Sequence, residues 1–148
     1  MKRLSIIAAL IFTLLVFASC NDKLDIQQSY DFSLTSWYLQ SEIREGESVE
    51  IRLTLHRSGD YQDAEYHIGY IQKSGQGEVF DIEGTLLVNR ELQKLSAIPN
   101  LDKSNPLEQV FTLFFRSLSS KSSEIEFFVV DNFGLKHTLT VSFDIDES

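Results

Sequence analysis

From Tyr30 onward, apolar and polar residues alternate with a period of two over short stretches, and turn residues separate the stretches. Tyr30, Phe32 and Leu34 alternate with Asp31 and Ser33, which predicts a first strand. After the turn Glu45-Gly46-Glu47-Ser48, the residues Val49, Ile51, Leu53 and Leu55 alternate with Glu50, Arg52, Thr54 and His56. This is the cleanest strand pattern in the chain, with one face buried and the other wet. Ser58-Gly59-Asp60 interrupts it, and Tyr66, Ile68 and Tyr70 mark the next strand. Short strands are expected at Glu78 to Ile82 and Thr85 to Val88 around Gly84. Gln93 to Pro106 reads as a long loop, with one helical turn near Glu91 to Leu95. Val110 to Phe115 is apolar apart from Thr112, as in a central strand covered on both sides. Ser117 to Ser123 is a turn. Ile125, Phe127 and Val129 lead into the tight connection Asp131-Asn132-Phe133-Gly134. Leu135, Leu139, Val141 and Phe143 form the last strand, and Asp144 to Ser148 a frayed acidic end.

That pattern gives about seven to eight short strands at spacings of about 8–12 residues, which points to a β-sandwich or barrel. No amphipathic helix follows residue 30. The expected fold is all-β, an immunoglobulin-like β-sandwich over residues 30–146. The likeness is one of architecture, because the lone Trp37 does not follow a Cys…Trp…Cys spacing.

The N-terminus has a different pattern. Lys2 and Arg3 precede a run from Leu4 to Ala18 broken only by Ser5 and Thr13, and Ala18-Ser19-Cys20 closes it. A basic start, an apolar run and small residues before a cleavage point describe a secretory signal. The run is short for a spanning helix, which needs roughly 20 apolar residues. Cys20, placed directly after the small residues, suits the acylated cysteine of a bacterial lipoprotein, although Phe17 stands where Leu is commonest. The expected organisation is a signal peptide over 1–19, a lipidated tether over 20–29 and the sandwich domain over 30–146. Acylation of Cys20 would anchor the chain stably, at about 0.8 kcal/mol per buried methylene.

Without residues 1–19, 11 basic and 22 acidic residues remain, a net charge of −11. Such a surface lacks the basic stripe that neutralises phosphates, so direct nucleic-acid binding is not expected. Cys20 is the only cysteine, so no internal disulfide forms and the fold stands on its core.

No set of residues amounts to a catalytic site. His56 and His67 fall in outward phases, and His137 shares the phase of Leu135 and Leu139; no pair has a metal-ligand spacing. There is no GxSxG elbow for a serine nucleophile. Asp60, Asp63 and Glu65 share one loop, and Asp131 and Asn132 another, but neither offers the oxygen density of a calcium loop. No cofactor, metal or enzymatic activity is expected. Exposed Trp and Tyr favour protein contacts and can stack on sugars. Trp37, Tyr38 and Tyr61 are therefore the candidate interface residues, the first two as strand neighbours facing opposite ways.

Several stretches together resemble the TraQ-type lipoproteins of Bacteroidota conjugative transposons. They are Leu24-Asp25-Ile26-Gln27-Gln28 with Tyr30 and Phe32, then Gly46 to Arg52, Arg57-Ser58-Gly59, Tyr66 to Tyr70 with Gln72, and Asp131-Asn132-Phe133-Gly134. These are strand and turn signatures, made specific by their order, and Lys94 to Pro106 is longer than the usual connection. The resemblance implies a structural or adaptor lipoprotein of a conjugative DNA-transfer apparatus, contacting other envelope proteins. Together with the N-terminal pattern, it gives the expected location as the cell envelope, anchored through Cys20 at the outer membrane and facing the periplasm, with surface exposure as the alternative. The competing expectation is an envelope lipoprotein that binds glycans or peptides.

Overall fold

The computed structural model describes residues 30–148. The signal peptide expected over residues 1–19, the expected acylation site Cys20 and the expected tether over residues 20–29 lie outside the described residues.

The strands are β1 (Phe32–Ser36), β2 (Glu42–Ile43), β3 (Ser48–Arg57), β4 (Tyr66–Ser74), β5 (Gly77–Phe80), β6 (Gln93–Lys94), β7 (Glu108–Ser117), β8 (Ser123–Asp131) and β9 (Lys136–Ile145). They form a four-stranded sheet in the order β1-β3-β7-β5 and a five-stranded sheet in the order β2-β9-β8-β4-β6. All pairs are antiparallel except β2 with β9. Strands β1, β3, β7 and β5 occupy the A, B, E and D places of an immunoglobulin-like sandwich, and β4, β8 and β9 the C, F and G places.

The core lies where the period-two pattern puts it. Val49, Ile51 and Leu53 of β3 oppose Phe115, Leu113 and Phe111 of β7, and Ile68 and Tyr70 of β4 oppose Val129 and Phe127 of β8. All of these are buried. Burying each such side chain contributes about 1.5–3 kcal/mol, so the two inner faces, with no disulfide among the described residues, carry the fold. Phe115 stacks on Phe143 across the sheets at 5.3 Å. Two glycines are dictated by geometry. Gly134 has φ +91° in the β8–β9 turn. A Cβ on Gly69 would come within 2.6 Å of the Phe128 ring and the Glu91 carbonyl.

Some expectations are corrected. Thr85 to Val88 is not a strand: Asp81 Oδ1 accepts the Glu83 and Thr85 amides and curls the chain, so only Leu86 bridges to Phe80. The helical turn is a 3-10 turn at Leu95–Ala97, displaced from Glu91 to Leu95 because Gln93–Lys94 pairs with β4 as β6. Asp144 and Ile145 are not frayed. They pair with Glu42 and Ile43, and the Asp144 and Asp146 amides donate to the Ser41 and Ile43 carbonyls at 2.7 and 2.9 Å. On β7 the outer side is only partly covered, with Val110 and Phe114 half-buried. The first strand begins at Phe32 and runs through Ser36.

Candidate functional site

Trp37 follows β1 directly. Its amide donates to the Arg52 carbonyl at 2.9 Å, which extends the pairing with β3 by one residue. The indole then lies on the outer face of the four-stranded sheet, where Nε1 donates to Thr54 Oγ1 at 2.9 Å. The Arg52 guanidinium sits 4.1 Å from the ring centroid. Thr54 is thereby covered to 5% exposure while Trp37 itself keeps 51%. Tyr38 is 96% exposed and belongs to the link between β1 and β2, so the two are not strand neighbours on opposite faces. The chain has left the sheet to begin its crossover to β9.

The same outer face carries a second aromatic group. Phe80 of β5 stacks on Phe114 of β7 at 5.5 Å, with the Arg116 guanidinium 5.1 Å from the Phe80 ring. Ile82 and Leu86 beside them are more than half exposed. A face holding Trp, Phe and Arg, with apolar side chains left in water, has the composition of a protein-binding surface. Phe80, Phe114, Arg52 and Arg116 were not singled out in the sequence. Phe114 is hidden in the continuous apolar run Val110 to Phe115, where phase cannot be read.

Tyr61 is elsewhere, at the end of the sandwich where β3 stops. Arg57 lies five residues beyond Arg52, about 17 Å along the strand. Tyr61 stacks on Tyr30 at 3.6 Å, and Tyr30 meets Phe133 edge-on at 5.6 Å. Desolvation first, then the Asp63 carboxylate and Tyr61, hold the Tyr30 hydroxyl above its ordinary pKa. Arg57, its side chain 5% exposed, organises this end. Its Nη2 donates to the Tyr61 carbonyl at 2.7 Å, Nη1 to the Pro106 carbonyl at 3.0 Å, and Nε to the Tyr66 hydroxyl at 3.2 Å. Asp60 Oδ1 stands 3.7 Å from Nη1. These bonds hold the β3–β4 loop and the segment before β7 around a cavity of about 570 Å3. The three candidate residues thus do not form one surface.

The remaining polar groups have local tasks. Asp131 Oδ1 accepts the Phe133 and Leu135 amides, and Asn132 bridges to the Glu65 amide and the Asp63 carbonyl, so both acidic loops are tied by turn bonding. His137 Nδ1 accepts the Leu34 amide at 3.2 Å and links β9 to β1 across the sandwich edge. His56 meets Thr35 at 2.8 Å on the outer face. Among the described residues, no three His, Cys, Asp or Glu side chains are grouped to hold a metal ion.

A family profile described as TraQ conjugal transfer protein matches residues 3–146. Among solved structures, a lipoprotein from Bacteroides thetaiotaomicron is 34% identical, with 86% of this chain aligned to 90% of that one at a TM-score of 0.63. A conjugate transposon protein from Bacteroides vulgatus is 32% identical, over 83% of this chain and 91% of that one, at 0.62. A conjugative transposon lipoprotein from Bacteroides eggerthii shares the fold at 23% identity, over 78% and 98%, at 0.64. No curated protein matches the chain.

Proposed function

We propose, because the chain belongs to the TraQ conjugal transfer family, that it is a non-catalytic, lipid-anchored component of a conjugative DNA-transfer apparatus that works by binding another envelope protein. Family membership over residues 3–146 is the observation that carries this reading. The contact surface is the outer face of the four-stranded sheet, centred on Trp37 and Arg52 and continued by Phe80 and Phe114. Tyr38 lies at its margin.

Anchoring fits this placement. The described domain begins at Tyr30, at the Arg57 end, ten residues after Cys20. A chain of that length reaches at most about 33–36 Å. Acylation of Cys20 would then hold the Arg57 end toward an outer membrane, facing the periplasm, and leave the Trp37 face free at the side.

The test is a photo-crosslinking residue placed at Trp37, Tyr38 or Thr140 in donor cells, Thr140 being on the outer face of the other sheet. Adducts with an envelope protein of the same element are expected from positions 37 and 38. Equal adducts from position 140, or none from 37, would remove the surface assignment. Cys20→Ala is expected to shift the protein from the membrane to the soluble fraction.

A further inference from the structure

The cavity at the Arg57 end differs in charge from the rest of the domain. Residues 30–148 carry ten basic and twenty acidic side chains. Arg57, Lys94 and Lys103 nonetheless line this one cavity, against only Asp60 and Glu65. Asp60 is already drawn to Arg57. Among the described residues neither lysine has an ion-pair partner. The cavity therefore holds a local net charge of about +1 within a negative domain, which concentrates small anions there.

A second observation is independent of charge. Gln109 stands in the core phase of β7 with Phe111, Leu113 and Phe115, is only 8% exposed, and lines the cavity. No protein group among the described residues hydrogen-bonds its side-chain amide. The residue lines the cavity and its amide is not among the sealed, unpaired polar atoms, so water or an entering ligand can meet it there. Tyr66 adds a donor, because its oxygen accepts from Arg57 Nε and leaves the hydroxyl proton free.

The aromatic rings exclude a sugar platform. Tyr61 is covered on one face by Tyr30 at 3.6 Å, and Gly59 lies against the ring closely enough that a Cβ there would sit 2.7 Å from Tyr61 Cζ. Tyr66 is met edge-on by Phe32 at 5.1 Å and capped by Arg57 at 5.5 Å. Apolar contact comes instead from Leu95, Leu101 and Pro106. A volume of about 570 Å3 lies within the range of small-ligand sites, about 300–1,000 Å3.

We propose that this cavity binds a singly charged organic carboxylate with a short apolar side group, as presented by the C-terminal residue of a polypeptide or by a free acid of the same chemistry. The carboxylate meets Lys94 and Lys103, the Gln109 amide fixes its orientation, and the apolar group lies on Leu95 and Leu101. A net charge of about +1 suits one carboxylate better than a doubly charged phosphate.

Calorimetric titration of the full chain in detergent tests this with N-acetyl-leucine, N-acetyl-leucinamide, inorganic phosphate, and a hexapeptide ending in leucine as its free acid and its amide. The acids are expected to bind at least tenfold more tightly than the matching amides. Lys94→Ala with Lys103→Ala, both exposed, is expected to weaken the acids at least fivefold with an unchanged Tm, and Gln109→Leu to weaken them similarly. A free-acid peptide binding tenfold more tightly than N-acetyl-leucine supports a polypeptide C-terminus as the source; equal affinities support a free acid. Equal binding of acid and amide, phosphate binding as tightly as the acid, or no binding by any probe overturns the proposal.

Discussion

Two arginines of β3, five residues apart, rest against aromatic rings and do opposite work. Arg57 is buried against Tyr66, and its donors are spent on the Tyr61 and Pro106 carbonyls, which fixes two loops. Arg52 lies over Trp37 on the outer face with no fixed carbonyl to satisfy. What separates them is desolvation. A buried guanidinium must be fully bonded and so becomes structural. An exposed one on an indole gains little and stays available to a partner. The same residue pair thus holds the fold together at one end and stays exposed on the side, where the contact surface is proposed.

The core beneath both pairs sets the top of the scale. Val129 is fully buried opposite Ile68, so Val129→Asp brings an unpaired charge into the sandwich. It is expected to cost more than about 4 kcal/mol and leave the domain unfolded by circular dichroism. A wild-type melting curve would mean that the inner face of β8 is assigned wrongly.

Arg57→Ala comes next. It strips donors from two carbonyls and a tyrosine, and is expected to cost about 3 kcal/mol, a fall in Tm on the order of 10 °C. Arg52→Ala is expected to cost about 0.5 kcal/mol, and Trp37→Ala about 1 kcal/mol through exposure of Thr54. Equal losses at 52 and 57 would abolish the contrast between them.

The smallest effect lies in the segment leading to Pro106. Backbone and side-chain hydrogen bonds from Ser104 hold the Asp102 carboxyl below its ordinary pKa. A lowered folded value means that the stabilisation is present above the unfolded carboxylate range, near pH 4, and is lost as pH falls through the folded value. The Tm gap between wild type and Asp102→Ala is therefore expected to shrink as pH falls from about 6 to 3. A constant gap would show that the carboxylate charge does not steady this loop.

The contrast between the arginines also marks what could be read in advance. The inner faces of β3 and β8 were legible because one buried face imposes a period of two, and a one-residue slip would expose the whole set. β2 was not legible: two residues paired in parallel to β9, with Ile43 alone buried, leave no period. Thr85 to Val88 looked strand-like, yet the Asp81 carboxylate commits its own turn to a competing bond. Trp37 was identified as a candidate from residue type, but its orientation depends on Thr54, a residue of another strand. Arg57 entered only through the matched stretch Arg57-Ser58-Gly59, with no sign of its structural role. It precedes a turn like any loop residue, and one of the carbonyls that defines its role comes from Pro106, 49 positions away.

The proposed role is that of an anchored binding component in conjugal transfer. Its most direct test is the transfer frequency of a donor lacking the gene, complemented with wild type, Cys20→Ala or Trp37→Ala at matched protein levels. Deletion is expected to abolish transfer and wild type to restore it, while Cys20→Ala fails and Trp37→Ala restores it only in small part. Transfer unchanged by deletion would contradict the role in conjugation. Full rescue by Trp37→Ala would contradict the surface assigned to it.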